Sequence, residues 1–321
     1  MLRKGRVAVR LVVVLVFVAA SAGSLFYARP VEFYRGLQHL WMTVDGVTGR
    51  DVTVGGHRIH YYVRGPVGGA PVVLVHGRGG RAEDWLRLAP YLVKAGYRVY
   101  TPDLLGYGES ERPVDATYSI PEEAGAVLGF LDAVGLKQVD LVGWSMGGWI
   151  AQRVAWEHPE RVRRLTLMNS AGLKLAPEWD TRLFTPTRRE DIDQLGALLF
   201  PHPQAVPEFV ARDVLRVSAE DGWVVKRALG EMLSARDVTD GELPGLKMPV
   251  LLLWGDLDRI TPLSEGRTMR ELVPGSRLEI APGCGHMAPE QCAGSYGPEV
   301  VRFLGAEPEL AAGEVTLRPP V

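Results

Sequence analysis

The chain of 321 residues carries 36 lysines and arginines against 38 aspartates and glutamates, so its formal net charge is only −2. That balance excludes the strongly basic surface typical of nucleic-acid-binding proteins, and we expect no nucleic acid among its partners. With 46% hydrophobic residues, the composition is globular and the chain is long enough for one large core or two domains. Its two cysteines, Cys284 and Cys292, are too few for a disulfide scaffold or a structural zinc site, although they can pair in an oxidising compartment.

The first predicted element is an uncharged run, Leu11–Ala28, which follows four basic residues within positions 1–10. Such a run is just long enough to span a bilayer as a helix. The excess of positive charge before it places residues 1–10 in the cytoplasm. We therefore predict a transmembrane anchor over 11–28 that holds the catalytic domain on the extracytoplasmic side. The alternative is a cleaved signal peptide and a secreted protein, because Ala20-Ser21-Ala22 fits a cleavage site.

Residues 29–50 are predicted to form a linker at the membrane interface, because aromatic residues cluster there and recur at helical spacing. The next two segments, Asp51–Val54 and Arg58–Val63, are predicted strands joined through Gly55-Gly56. We expect them to form a hairpin at the edge of a sheet.

Strands and helices then alternate through residues 51–168 and again through 247–305. Because several strands are apolar throughout, we predict an α/β fold with a mostly parallel central sheet and helices on both faces. Residues 169–246 break this rhythm, contain prolines and charges, and show helical spacing of apolar residues. They are predicted to form a helical lid, and residues 306–321 a flexible tail.

A serine flanked by glycines stands directly after one predicted strand. Gly143, Ser145 and Gly147 form the pattern Gly-x-Ser-x-Gly, which is typical of a nucleophile elbow, a turn too tight for larger side chains at the glycines. The turn exposes the Ser145 hydroxyl and points the backbone N–H of Met146 into the same space. We predict Ser145 as nucleophile, Met146 as one donor to a developing oxyanion, and Trp144 as a substrate contact.

Two further polar residues follow predicted strands. Asp258 comes after the strand Met248–Trp254, and His286 comes after the last predicted strand. The carboxyl ends of parallel strands meet at one edge of a sheet, so we expect both residues near Ser145. A serine hydroxyl needs an imidazole to take its proton, and a carboxylate holds that imidazole in one tautomer. The sequence therefore predicts a Ser-His-Asp triad, with Asp256 as the alternative acid.

A loop after the first buried strand completes the predicted site. His76-Gly77-Arg78 follows the strand Pro71–Val75, and the backbone N–H of Arg78 is placed to donate to the oxyanion. Gly77 is predicted to contact the substrate, whereas His76 braces the loop. The chemistry of a triad requires neither a metal nor a cofactor, and we expect none.

Taken in order, these motifs resemble those of the α/β-hydrolases over roughly residues 51–304. The resemblance implies an α/β-hydrolase fold and favours Asp258 as the acid, because in that superfamily the acid lies in a Gly-x-x-Asp setting that begins here at Gly255. The predicted anchor, the segment Asn169–Leu173 and the strand end Trp254-Gly255-Asp256 also resemble the membrane-anchored monoacylglycerol lipase and esterase branch.

We therefore expect a carboxylic-ester hydrolase that acts on a small, lipid-derived acyl ester through an acyl-enzyme intermediate. Lid residues that the sequence does not identify would line a slot for the acyl chain, and the oligomeric state stays open. One alternative resembles the hydrolases that cleave carbon–carbon bonds in ring-fission dienoates, which have a similar triad and lid. The other alternative is a non-catalytic protein that senses lipids on the same fold.

Overall fold

One sheet runs through the part of the chain that the structure describes. The structure is a computed structural model that describes residues 21–174 and 177–318. Its strands are β1 (Thr48–Val54), β2 (His57–Arg64), β3 (Pro71–Val75), β4 (Arg98–Pro102), β5 (Val139–Trp144), β6 (Val162–Met168), β7 (Val250–Gly255), β8 (Arg277–Ala281) and β9 (Gly313–Thr316). Their order across the sheet is β1-β2-β4-β3-β5-β6-β7-β8-β9.

The sheet is mostly parallel, as predicted. β1 and β2 form an antiparallel hairpin at one edge, and β2 is also antiparallel to β4. Every other neighbouring pair of strands is parallel. All parallel strands therefore end at one edge of the sheet, where the predicted site residues lie.

Helices cover both faces of the sheet. They are α1 (Pro30–Val44), α2 (Ala89–Lys94), α3 (Ile120–Ala133), α4 (Met146–Glu157), α5 (Arg189–Leu199), α6 (Glu208–Leu233), α7 (Leu263–Leu272), α8 (Ala288–Gln291) and α9 (Ala293–Leu304). Residues of α3, α4 and α7 share one hydrophobic cluster, and residues of α2 and α9 belong to another. Successive β5 residues enter the two clusters in turn, Leu141 into the first and Val142 into the second. This burial on both faces explains why the strands are apolar throughout.

In the described part of the predicted lid segment, the α-helices are α5 and α6. Val224 and Ala228 of α6 are fully or almost fully buried in the cluster that also contains the elbow residue Met146. The carbonyl oxygen of Asp237, just after α6, accepts a 2.7 Å hydrogen bond from Trp149 Nε1 on α4. These contacts hold the segment over the carboxyl edge of the sheet.

The structure corrects the prediction of a membrane anchor. The predicted span, 11–28, lies mainly outside the described residues, and its end, 21–28, is helical. Within residues 21–174 and 177–318, no helix is both long enough and apolar enough to cross a bilayer. This finding overturns the predicted location of the enzyme on the extracytoplasmic side of a membrane.

Three of the aromatic residues near the predicted membrane interface contact one another or the lid, whereas Tyr34 and Trp41 are exposed. The rings of Phe26 and Tyr27 lie 5.3 Å and 5.2 Å from the ring of Phe209 on α6, and Phe33 lies 5.4 Å from Phe26. Most of the predicted linker, 29–50, is the helix α1. The physical reason for the error is that aromatic clusters are equally typical of protein–protein packing and of bilayer interfaces.

The C-terminal tail also differs from the prediction. Within the predicted flexible tail, 306–321, the strand β9 pairs in parallel with β8, with Leu278 opposite Glu314 and Ile280 opposite Thr316. Leu317 then donates a 2.7 Å backbone hydrogen bond to Ile280. A short strand with exposed side chains lacks apolar alternation, so only its pairing with β8 defines it.

Candidate active site

Ser145 occupies a strained turn between β5 and α4. Its φ is +56° and its ψ is −121°, in a region that residues with side chains rarely adopt. The neighbouring glycines make the turn possible: a Cβ at Gly143 would collide with the carbonyl of Gly147, and one at Gly147 with the carbonyl of Val75. Sequence and backbone thus agree on a nucleophile elbow.

The structure brings the three predicted triad residues into hydrogen-bonding contact. Ser145 Oγ lies 2.9 Å from His286 Nε2, and His286 Nδ1 lies 2.8 Å from Asp258 Oδ2. An imidazole whose Nδ1–H donates to the carboxylate has a free lone pair on Nε2, which accepts the serine proton. This is the order of contacts that general-base activation of a serine requires.

Five donors surround the Asp258 carboxylate. Besides His286, they are the backbone N–H groups of Ile260 (2.7 Å) and Thr261 (3.0 Å), the Thr261 hydroxyl (2.9 Å) and the Asn169 side-chain amide. Burial by itself raises the pKa of Asp258, but the charge of His286 and these hydrogen bonds outweigh it and lower the pKa below its ordinary value. The carboxylate is therefore ionised beside His286.

Asp256, the alternative acid, lies elsewhere. Its side chain is exposed and accepts a 2.7 Å hydrogen bond from the backbone N–H of Gly283. It thus fixes the turn after β8. The geometry favours Asp258, as the resemblance implied.

The predicted oxyanion loop lies directly against the elbow. A Cβ at Gly77 would come within 3.1 Å of the Ser145 Cβ, so only glycine lets the backbone before Arg78 approach the nucleophile. Met146 begins α4, so its backbone N–H has no partner within the helix. Both predicted donors, the N–H groups of Arg78 and Met146, therefore adjoin Ser145.

His76 braces this loop, as predicted. Its ring bridges the Gly77 carbonyl (2.8 Å from Nδ1) and the Leu104 N–H (3.0 Å from Nε2). Burial lowers the pKa of His76 to about 4, so the ring is neutral at pH 7 and can accept at one nitrogen while it donates at the other.

The loop that carries His286 is restrained from two sides. Trp144 Nε1 donates a 2.8 Å hydrogen bond to the His286 carbonyl. Cys284 and Cys292 form a disulfide that closes the loop around His286. Trp144, predicted as a substrate contact, lines the cavity and also holds the loop that carries His286.

A cavity of about 370 Å³ opens over Ser145 and His286. The lid segment provides its apolar wall, which consists of Phe184, Pro186, Leu195, Leu199, Val214, Val217, Val224 and Val225. Gly77 and Trp144 also line the cavity. The cavity thus joins Ser145 and His286 to an apolar chamber. These eight lid residues are the ones that the sequence alone did not identify.

The Arg78 side chain also lines this cavity. Its guanidinium lies 3.9 Å from the centre of the Phe184 ring, and its Nε and Nη1 atoms are buried without a hydrogen-bond partner. Burial lowers the pKa of Arg78 to about 10, so the group stays positively charged at neutral pH. Sequence reasoning used only the backbone of Arg78 and missed this cation.

Two polar residues around Asp258 were also missed as site residues. Asn169, at the end of β6, donates to Asp258 and to the Gly285 carbonyl (3.2 Å), and its Oδ1 accepts from the Tyr296 hydroxyl (3.0 Å). Thr261 donates to the carboxylate as described. The signal that was available for Asn169 is its place at the carboxyl end of a parallel strand.

Comparison with known proteins gives one family. A family model described as "alpha/beta hydrolase fold" matches residues 70–203. The 2-hydroxymuconate semialdehyde hydrolase of Pseudomonas sp. strain CF600 is 32% identical over 279 residues, which cover 82% of this chain and 96% of that protein.

Two solved structures extend the comparison. A structure described as a membrane phospholipase A and bacterial virulence factor is 28% identical, with a TM-score of 0.75 over 91% of this chain and 98% of that one. The meta-cleavage product hydrolase from Pseudomonas fluorescens IP01 is 25% identical, with a TM-score of 0.70 over 80% of this chain and 97% of that one.

Proposed function

The chain belongs to the α/β-hydrolase fold family, and from that premise we propose that it hydrolyses a carbon–carbon bond in a ring-fission dienoate, with Ser145, His286 and Asp258 as its triad. Two of the similar proteins named above act, by their names, on compounds of this kind. At the sequence level this reaction was the alternative to ester hydrolysis. The comparisons support it better than a monoacylglycerol lipase.

The observation that carries the proposal is the unpartnered Arg78 guanidinium in the cavity. A buried cation without an anionic partner is costly, and a carboxylate is its natural partner. A ring-fission dienoate brings a carboxylate to the site, whereas a neutral ester does not. Because the loop that bears Arg78 adjoins Ser145, one substrate can reach both residues.

The proposed reaction has two halves, acylation of Ser145 and hydrolysis of the acyl-enzyme, and the triad acts in both. The dienol first tautomerises: its 2-hydroxyl becomes a keto group, and the carbon next to the other carbonyl gains the proton. Ser145 Oγ attacks that other carbonyl as His286 Nε2 takes its proton, and the backbone N–H groups of Arg78 and Met146 stabilise the oxyanion. The carbon–carbon bond then breaks, and its electron pair is delocalised through the remaining double bond onto the 2-oxygen as a dienolate. His286 returns the proton to that oxygen. Water, activated by His286, finally hydrolyses the acyl-Ser145 ester.

The test compares an acidic substrate with a neutral one. We expect the protein to turn over 2-hydroxymuconate semialdehyde. The loss of the dienolate absorbance of this substrate measures the rate. Arg78→Met should lower kcat/KM for this acid about 10- to 100-fold, since a hydrogen bond to a charged group contributes about 1.5–3 kcal/mol. The same change should leave kcat/KM for p-nitrophenyl butyrate within about threefold, because methionine keeps the backbone N–H.

Arg87→Met is the matched control, because Arg87 is exposed and does not line the cavity. It should leave both substrates unaffected. Turnover of the butyrate ester with no turnover of any ring-fission acid would refute the proposal. So would an Arg78→Met variant that loses activity on both substrates equally.

Ester hydrolysis is the second candidate, and two observations favour it. The phospholipase A structure matches more of this chain than the meta-cleavage product hydrolase does, and the lid gives the cavity an apolar wall suited to an acyl chain. The same pair of assays separates the two reactions. A fluorophosphonate should label Ser145 in either enzyme. Labelling of a protein that turns over neither the acid nor the ester would instead favour a binding protein.

A further inference from the structure

The N-terminal helix α1 bridges the lid and the body of the protein. At its lid end, the backbone N–H of Val31 donates to Asp213 Oδ2 on α6 (2.9 Å), and Glu32 pairs with Arg216 of the same helix. At its other end, His39 Nε2 lies 2.8 Å from Glu83 Oε1 in the body. The helix is thus held at both ends.

Arg35 lies between these two attachments, one turn after Glu32 and one turn before His39. Its side chain lines the cavity that contains Ser145, and its Nε atom is buried without a hydrogen-bond partner. The nearest acid on its own helix, Glu32, is already paired with Arg216. Burial, followed by the charge of Arg81, lowers the pKa of Arg35, and the charges of three carboxylates, Glu32, Asp221 and Glu83, offset only part of this shift. A cation has therefore been placed at the cavity against an electrostatic cost.

The cavity as a whole has an excess of positive charge. Four arginines line it, Arg35, Arg78, Arg81 and Arg112, against two carboxylates, Asp84 and Asp221. Burial raises the pKa of Asp84 to about 7. Near neutral pH this carboxyl is therefore only partly ionised and offsets less than one positive charge. A single substrate carboxylate bound at Arg78 would therefore neutralise only part of this excess positive charge.

We propose that Arg35 binds a second anionic group of the substrate, so that the preferred substrate is a dianion with one charge at Arg78 and another at Arg35. The inference rests on the proposed function for the first of these charges. The second group is a carboxylate or a phosphate, since both accept hydrogen bonds from a guanidinium. The helix α1, which lies before the matched family segment 70–203, thereby takes part in substrate selection.

The first experiment compares two dienoates that differ only at the far end, one with a carboxylate and one with a methyl group. Arg35→Gln should raise KM for the dianion about tenfold or more, with kcat changed less than about twofold, and leave KM for the monoanion within about twofold. Arg35→Lys, which keeps the charge, should restore part of the loss. Lys94→Gln removes an exposed charge outside the cavity and serves as control.

The second experiment measures binding without turnover, so that it stays informative if no dienoate is hydrolysed. Glutarate or inorganic phosphate should protect Ser145 from a fluorophosphonate, and Arg35→Gln should weaken protection by whichever anion the site prefers. Unchanged protection by both anions would overturn the role of Arg35. An equal rise in KM for dianion and monoanion would overturn it as well, because it would indicate a structural effect.

Discussion

At the scale of single residues, the site depends on Asp258 being held ionised and Ser145 being held strained. The carboxylate accepts hydrogen bonds from two backbone N–H groups as well as from His286. Those backbone donors come from the turn after β7, so the acid is oriented before a substrate arrives. Preorganisation of this kind is how an enzyme avoids reorganisation during the reaction.

Substitution of the two aspartates separates their roles. Asp258→Asn should lower kcat about 10³- to 10⁴-fold, because an amide can neither stabilise the imidazolium nor enforce the tautomer. Asp256→Asn should retain most activity, since Asp256 contacts only the turn at Gly283. The measurement is kcat for whichever substrate proves active. A larger effect from Asp256→Asn would move the acid.

At the scale of elements, the loop that carries His286 between β8 and α9 is restrained by a disulfide and by a hydrogen bond from Trp144. The disulfide joins cysteines eight positions apart, and both are buried, at 3% and 8% exposure. His286 lies two residues after Cys284, so any loosening of this loop moves the proposed general base. The disulfide thus connects local stability with catalysis.

The Cys284→Ser, Cys292→Ser double variant tests this connection. Loss of the cross-link should lower the free energy of unfolding by about 2–3 kcal/mol, the chain-entropy value for a loop of this length. The kcat should fall while KM changes little, because the loss concerns the base and not the cavity wall. Denaturant unfolding and steady-state kinetics give both quantities. An unchanged kcat in a destabilised variant would show that Trp144 alone suffices to hold the loop.

At the scale of the whole molecule, one buried acid connects the stability of the fold with pH. Glu265, in the first turn of α7, is 9% exposed. Burial, and then the charge of Asp258, raises its pKa to about 8. Between the ordinary pKa of 4.5 and about 8, the folded protein retains a proton that the unfolded chain has released. This group therefore destabilises the fold progressively as the pH rises through that window.

Glu265→Gln should remove this contribution, because glutamine stays neutral. As the pH rises through the window, the unfolding free energy of the variant should increase relative to that of the wild type by up to about 1.4 kcal/mol per pH unit. Urea unfolding at pH 5, 6, 7 and 8 measures it. Glu271→Gln, on the exposed face of the same helix, is the control. Parallel curves for Glu265→Gln and wild type would contradict the expectation.

How much could be predicted depended on the element. The bounds of β3 agree with the predicted segment Pro71–Val75, because this strand is a continuous apolar run. Between β3 and β4, where the alternation of strands and helices predicts a helix, the structure has a short 3₁₀ turn, Ala82–Trp85, followed by α2. Pro90 explains the break, since proline fits the first turn of a helix but not its interior.

The sequence by itself determined the α/β class, the elbow at Ser145 and the three strand ends that bear the proposed triad. These features depend on short-range periodicity and turn geometry, which neighbouring residues specify. Only the tertiary structure decided that Asp258 rather than Asp256 meets His286, that Arg35 and Arg78 enter one cavity, and that aromatic residues before β1 contact the lid. Those outcomes depend on contacts between residues far apart in the chain, which no local pattern encodes.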